Sequence, residues 1–172
     1  MKILVAAATY LEVKPFLNHL GFSKEESFYS YATDRFNTLD VLITGVGMVS
    51  TTYQITKQLS KVHYHLVINA GIAGAFSPKL LIGDAVIVSS DCLAEMGAES
   101  PNGLVPFDKM AFRGIYQAKA KSNFTIKAWE HLPRVNGITV NKVHGKADSI
   151  VEVEIHFSPE VESMEGAAVL AI

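Results

Sequence analysis

The sequence contains little cysteine, few charged residues and no long apolar run. Its single cysteine, Cys92, cannot form a disulfide within the chain, which is typical of a reducing compartment. Charged residues make up 19% of the 172 residues, and 15 basic side chains stand against 17 acidic ones. Because no Lys or Arg cluster stands out, neither nucleic acid nor an anionic membrane is expected as a partner. The apolar run at the N-terminus ends at Thr9, too soon for a membrane span or a signal peptide, so we expect a cytoplasmic protein.

Several catalytic and cofactor motifs are also missing. The six histidines show no His-Glu-x-x-His spacing, and no Gly-x-Ser-x-Gly sequence occurs. The segment Gly71-Ile72-Ala73-Gly74 lacks the Gly-Lys-Ser/Thr continuation of a nucleotide-triphosphate loop. Gly45-x-Gly47-x-x-Ser50 is a weak match to a dinucleotide-binding fingerprint, because no acidic residue ends the next strand. We therefore expect no metal and no cofactor.

The segments that are present alternate between buried strands and amphipathic helices. Residues 2–8 form a continuous apolar run, which indicates a strand covered on both faces. Apolar residues at helical intervals follow Thr9 and occur again from Met48 to about Leu59, which predicts two helices. Residues 66–70 form another apolar run, which predicts a second buried strand. Residues 97–109 favour a surface loop. The pattern predicts one domain over residues 1–172, a three-layer α/β/α fold with a central mixed, mostly parallel twisted sheet.

The last residues of the chain predict a helix that has begun but carries no stop signal. Small and apolar residues follow Gly166 up to Ile172, with neither a glycine nor a basic C-terminal turn. We therefore expect a further strand and helix of this fold to lie beyond Ile172.

Two glutamates stand at predicted strand ends, where open α/β sheets collect their functional residues. Glu12 is the third helical residue after Thr9, so its spacing also fits a capping box without any chemistry. Glu165 precedes the last predicted helix, where a carboxylate also interacts favourably with the helix dipole. Carboxylates accept hydrogen bonds from sugar hydroxyls, and glycine turns let a ring approach the backbone. Together these features suit a neutral ribosyl ligand.

The sequence resembles the nucleoside phosphorylase and nucleosidase superfamily along its whole length. The resemblance rests on five segments in the family's order: residues 1–13, 44–47, 67–75, 81–86 and 161–169. Residues 95–99, 139–143 and 162–166 are most similar to futalosine hydrolases of menaquinone biosynthesis. Methylthioadenosine/adenosylhomocysteine nucleosidases are similar too, but they typically carry serine where Ile72 stands.

The resemblance implies an N-glycosidic hydrolysis, with a role for each matched residue. Glu12 would be the general base that orients a water, Glu165 would bind the ribose hydroxyls, and Met164 would pack beneath the ribose. The remaining substrate-binding residues implied in this way are Gly45, Val46, Gly47, Ala70, Gly71, Ile72, Ala147 and Asp148. The resemblance also implies a homo-oligomer, dimeric or larger, and an aspartate beyond Ile172 that protonates the departing base. Without that acid, the 172 residues alone are expected to show little activity.

The residues favour water over phosphate as the nucleophile. Phosphorylases of this family place an arginine near the turn occupied here by Asn69-Ala70-Gly71, because a phosphate dianion needs positive charge. No Arg or Lys lies between Lys61 and Lys79. The sequence therefore predicts a purine nucleosidase, most similar to futalosine hydrolase. A methylthioadenosine/adenosylhomocysteine nucleosidase and a non-catalytic nucleoside-binding protein remain as alternatives.

Overall fold

The computed structural model describes residues 1–34, 37–101, 103–111, 113–121 and 126–172. Within these residues the chain forms eleven strands, four α-helices and two short 3₁₀ helices. It divides into two compact units, residues 1–72 with Ile172, and residues 73–171. The prediction of a single domain over residues 1–172 stays a prediction.

The first unit is a four-stranded sheet with two helices. Its elements are β1 (Lys2–Ala7), α1 (Tyr10–His19), β2 (Phe28–Ala32), β3 (Thr38–Ile43), α2 (Met48–Leu59) and β4 (Leu66–Asn69). The strand order is β2-β3-β1-β4. Strand β1 is parallel to both of its neighbours, and only β2 is antiparallel to β3. The sheet is therefore mixed and mostly parallel, as the sequence predicts.

Strand β1 is buried on both faces, which explains its continuous apolar sequence. Val5 and Ala7 belong to a cluster that includes Val13 and Leu17 of α1. Side chains alternate along a strand, so Leu4 lies on the other face of the sheet, where it is fully buried as well. Two covered faces are what a largely parallel sheet requires.

The second unit contains a five-stranded sheet and a separate hairpin. Its elements are β5 (Gly74–Ala75), β6 (Ile87–Leu93), β7 (Gly97–Ser100), β8 (Gly103–Pro106), β9 (Gln117–Lys119), β10 (Arg134–Thr139), α3 (Ala147–Phe157), β11 (Val161–Ser163) and α4 (Gly166–Ala171), with 3₁₀ turns at Phe107–Lys109 and Lys127–Trp129. The sheet order is β5-β11-β10-β6-β9. Strand β10 is parallel to β6 and β11, and the outer strands β5 and β9 are antiparallel to their neighbours. The predicted α/β class with mixed sheets is confirmed.

The predicted surface loop at residues 97–109 was wrong, because most of it forms the β7–β8 hairpin. A Cβ added at Gly97 would lie 2.3 Å from the carbonyl oxygen of Val105. Glycine at this position therefore permits the close approach of two strands rather than marking a loop. Helix α3 was not predicted. Its apolar residues are not confined to one face, because Val151 and Ile155 are exposed whereas Val153 is buried, so the sequence lacks a clear amphipathic pattern there.

The described residues include no helix with the length and apolar character needed to cross a membrane.

Candidate functional site

Three of the predicted segments lie at one edge of the first sheet. Strands β3, β1 and β4 are parallel neighbours, with β1 in the middle, so their carboxyl ends meet at the same edge. The backbone continues this pairing beyond the strands. The N–H of Gly45 donates to the carbonyl oxygen of Ala8 (3.0 Å), and the N–H of Ala70 donates to the carbonyl oxygen of Ala6 (2.8 Å). Ligands of open α/β sheets bind at this edge.

Glu12 is held at this edge by the start of helix α1. Its Oε2 accepts hydrogen bonds from the backbone N–H of Thr9 (2.6 Å) and from the Thr9 hydroxyl (2.9 Å). Its Oε1 accepts the backbone N–H of Ile72 (3.2 Å). The capping-box interpretation of Glu12 is therefore correct, but it is incomplete, since the second oxygen reaches the segment after β4.

The Glu12 carboxylate keeps one acceptor position on Oε1. An ionised carboxylate offers about four lone-pair sites, two on each oxygen. Among the described residues, Oε2 uses both of its sites on Thr9 and Oε1 uses one on Ile72. A water that donates to Oε1 would therefore meet a carboxylate whose orientation is already fixed.

The absence of a side chain at Gly71 leaves room for the Glu12 carboxylate. A Cβ added there would lie 2.9 Å from Oε1 of Glu12 and 3.6 Å from its Cδ. The exposed Ile72 follows, with 79% of its surface accessible. Glu12, Gly71 and Ile72 are thus brought together, as the sequence predicts for residues of one site, although their contact with a nucleoside stays a prediction.

The predicted turn at Gly45, Val46 and Gly47 connects β3 to α2. Gly45 has φ +80°, and a Cβ there would lie 2.6 Å from Oγ of Ser50, so a side chain does not fit. Gly47 has φ +93° and precedes the first residue of α2, and Val46 between them is exposed. This tight turn places the partly buried Gly45 and Gly47 at the same sheet edge as Glu12.

The second group of predicted residues lies at the corresponding edge of the second sheet. Met164 and Glu165 follow β11, directly before α4. Glu165 is only 8% exposed, and its Oε2 accepts the backbone N–H of Met164 (3.2 Å). Met164 is half-buried beside it. A carboxylate and a thioether therefore follow one another after β11, and their predicted contact with ribose stays a prediction.

Ala147 and Asp148 are placed differently. They are the first two residues of α3, and both are exposed. Their predicted contact with the base stays a prediction.

A buried carboxyl group in the same unit was missed by the sequence analysis. Asp91 is 2% exposed, and its Oδ1 accepts the hydroxyl of Thr139 (2.9 Å), whose oxygen in turn accepts the backbone N–H of Ala167 (2.7 Å). Burial raises the pKa of Asp91 to about 7, while the bond from Thr139 and that from the Cys92 backbone act in the opposite direction. This series of hydrogen bonds connects β6, β10 and the start of α4. Nothing in the local sequence around Asp91 indicates that its carboxyl group is buried.

A second missed pair lies between the strand β11 and the loop after β10. Glu162 is 5% exposed, and its Oε2 lies 2.7 Å from ring Nδ1 of His144. Its Oε1 accepts the backbone N–H of His144 (3.0 Å). Since an ionised carboxylate can only accept, Nδ1 carries the proton. The two residues are 18 positions apart, so spacing gave no signal of the pair.

Over the part of the chain that the structure describes, no group of three or more His, Cys, Asp or Glu side chains could hold a metal ion.

Parts of the chain are similar in sequence to known proteins. A 5'-methylthioadenosine/S-adenosylhomocysteine nucleosidase of Maridesulfovibrio salexigens is 37% identical over 93 residues, which are 52% of this chain and 40% of that protein. A futalosine hydrolase of Acidothermus cellulolyticus is 37% identical over 73 residues, 42% of this chain and 30% of that protein. The aligned segments thus span less than half of either relative.

Solved structures show the same fold. The S. pneumoniae 5'-methylthioadenosine/S-adenosylhomocysteine nucleosidase, solved with the transition-state inhibitor MT-ImmA, matches with a TM-score of 0.77 at 20% identity. The match covers 99% of this chain and 78% of that one. The family model of the Phosphorylase superfamily matches residues 2–139, a range that includes Glu12 and the glycine turns around it, and the chain belongs to this superfamily.

Proposed function

We propose that the protein is a nucleosidase that hydrolyses the N-glycosidic bond of a purine nucleoside. The observation that carries the proposal is the geometry of Glu12. Its carboxylate is fixed by Thr9 and Ile72 at the ligand-binding edge of the sheet, and one acceptor position stays open on Oε1. A fixed carboxylate with one open position suits a general base that orients a single water.

The charge distribution supports water rather than phosphate as the nucleophile. Oxygen anions are usually held by Arg or Lys, which provide positive charge and several donors. No Arg or Lys occurs from residue 62 to residue 78, the segment that contains β4 and the glycines after it. A neutral water needs no such cation.

The second glutamate has a complementary role in this proposal. Cleavage of an N-glycosidic bond passes through an oxocarbenium-like transition state, in which positive charge develops on the ribose. Hydrogen bonds from the ribose hydroxyls to the Glu165 carboxylate strengthen as that charge grows, so they lower the barrier more than they tighten substrate binding. Met164, adjacent to Glu165, provides an apolar surface for the sugar.

Futalosine is the first candidate substrate, with hypoxanthine as the released base. The similarity of residues 95–99 and 162–166 to futalosine hydrolases supports it, as does the alignment with the A. cellulolyticus enzyme. 5'-Methylthioadenosine and S-adenosylhomocysteine are the second candidates, which the longer alignment with the M. salexigens nucleosidase favours. A homo-oligomer belongs to the same proposal and is tested by sedimentation.

The experiment offers the protein futalosine, 5'-methylthioadenosine and S-adenosylhomocysteine separately, and measures the free purine by chromatography. We expect slow release of base in buffer without phosphate, with one of the three nucleosides preferred. Stoichiometric consumption of phosphate would contradict the proposal. Binding of a nucleoside without release of its base would instead support a non-catalytic nucleoside-binding protein.

The matched variants are Glu12→Gln and Glu25→Gln. Loss of a general base lowers the rate by about 10²–10⁴-fold, so Glu12→Gln is expected to lose most activity. Glu25 is exposed in the same unit, and its replacement removes the same charge without touching the sheet edge. Equal activity of the two variants would contradict the role of Glu12.

A further inference from the structure

The loop between β10 and α3, residues 140–146, is held from both sides by a glutamate. Strand β10 lies between β6 and β11, and all three are parallel, so their following segments share one sheet edge. Glu95 follows β6, whereas Glu162 lies on β11. Each of these glutamates binds a backbone N–H and a side chain of the loop.

Glu162 holds the end of the loop that is nearer to α3. It accepts both the backbone N–H and the ring N–H of His144, at 3.0 and 2.7 Å. Space for its side chain depends on Gly74, where a Cβ would lie 3.2 Å from Cγ and 3.3 Å from Oε1 of Glu162. A buried carboxylate with two charge-assisted hydrogen bonds is a rigid anchor.

Glu95 holds the end of the loop that is nearer to β10. Its Oε2 accepts the backbone N–H and the side-chain amide of Asn141, both at 2.8 Å. Asn141, Lys142 and Val143 are all exposed. Because burial does not fix these residues, their order depends on the two glutamates.

The loop borders the residues assigned to the ribose. The backbone N–H of Val140, its first residue, donates to the carbonyl of Ser163 (3.0 Å), directly before Met164 and Glu165. We propose that Glu95 and Glu162 are positioning residues that keep this loop ordered, so that it forms a preorganised side of the nucleoside site. This inference rests on the proposed function. A loop that is ordered in advance costs less entropy on binding, so the ligand binds more tightly.

The experiment compares alanine and glutamine variants of the two glutamates. Glu162→Ala and Glu95→Ala are expected to speed amide hydrogen exchange at His144 and Asn141 respectively. They are also expected to weaken binding of 5'-methylthioadenosine, measured by calorimetry, about tenfold, the effect of 1.4 kcal/mol. The matched control is Glu154→Ala, an exposed glutamate on α3, which should change neither quantity.

The glutamine variants separate position from charge. In Glu162→Gln, the amide oxygen can accept the backbone N–H of His144, and the amide N–H can donate to Nδ1 in the imidazole tautomer whose proton lies on Nε2. In Glu95→Gln, the amide oxygen can accept both the backbone N–H and the side-chain N–H of Asn141. Both glutamine variants should therefore retain slow exchange and most of the affinity. Glutamine variants as weak as the alanine variants would overturn the proposal, as would alanine variants that bind like the wild type.

The two readouts also separate this inference from the proposed function. If the wild type binds no purine nucleoside, the proposed function fails and the binding role fails with it. Faster exchange in the alanine variants would then still support the holding of the loop, and unchanged exchange would overturn it.

Discussion

Replacement of Gly71 by alanine should displace the Glu12 carboxylate without unfolding the protein. The new Cβ would lie 2.9 Å from Oε1, whereas ordinary contacts begin at 3.4 Å, so the carboxylate must retreat by about half an ångström. Gly71 is not among the glycines with positive φ, so alanine is compatible with the backbone. The strain therefore falls on Glu12 and its bonds to Thr9 and Ile72.

The expected magnitudes differ sharply between stability and catalysis. A weakened cap at a partly exposed helix end costs about 1 kcal/mol, which thermal unfolding measures. A misplacement of about 1 Å lowers the rate about 10²-fold, so half of that displacement should lower kcat/KM for base release roughly tenfold.

A double-mutant cycle with Glu12→Gln decides whether Gly71 acts through Glu12. If it does, Gly71→Ala should lower kcat/KM in the wild type but add almost nothing in the Glu12→Gln background. An equal factor in both backgrounds would refute the reasoning, as would an unchanged kcat/KM in the single variant.

Three further predictions concern stability. The pKa of Asp91 is about 7 in the folded protein and 3.8 in the unfolded chain, so the folded state binds the proton more tightly. The free energy of unfolding therefore decreases as the pH rises from about 4 to 7. Asp91→Asn should remove that slope and be more stable at pH 8, by up to about 4 kcal/mol; a parallel pH profile would contradict this. Leu17→Ala, at a fully buried position, should cost about 2–5 kcal/mol in urea unfolding, whereas Leu11→Ala, 74% exposed, should stay within about 0.5 kcal/mol. Thr139→Val should cost about 1–3 kcal/mol in the same assay, because the backbone N–H of Ala167 and the Asp91 carboxyl both lose a hydrogen-bond partner. A Thr139→Val variant as stable as the wild type would show that these hydrogen bonds do not contribute to stability.

Elements with strong local signals were predictable from the sequence. Helix α2 has the predicted bounds, Met48–Leu59, and α1 begins directly after Thr9. Their starts depend on capping residues and turns that are close in the chain, and such signals can be read without knowing the fold. Strand β4 begins at Leu66, as the apolar run at residues 66–70 predicts, but it ends at Asn69, because an apolar run alone does not locate the last paired residue.

Contacts between distant residues were not predictable in this way. Glu162 meets His144 because β11 pairs with β10, and Asp91 meets Thr139 because β6 pairs with β10 on its other side. Register decides these neighbours, and one sequence does not reveal the register of strands whose contacting residues are 18 or 48 positions apart. Polar groups that are buried in this way are costly unless paired, so the fold itself selects their partners.

The glycines at residues 71 and 74 show how a correct motif can have an incomplete interpretation. From the sequence, the segment indicated backbone that passes close to a ligand. In the structure each glycine leaves room for a glutamate of its own unit: Gly71 for Glu12, and Gly74 for Glu162. The close approach is therefore to the protein's own carboxylates, one of which is the proposed base and the other an anchor of a neighbouring loop. A substitution at either glycine should consequently act on ligand chemistry through a glutamate, which is why the cycle with Glu12 is a stricter test than the loss of activity in Gly71→Ala alone.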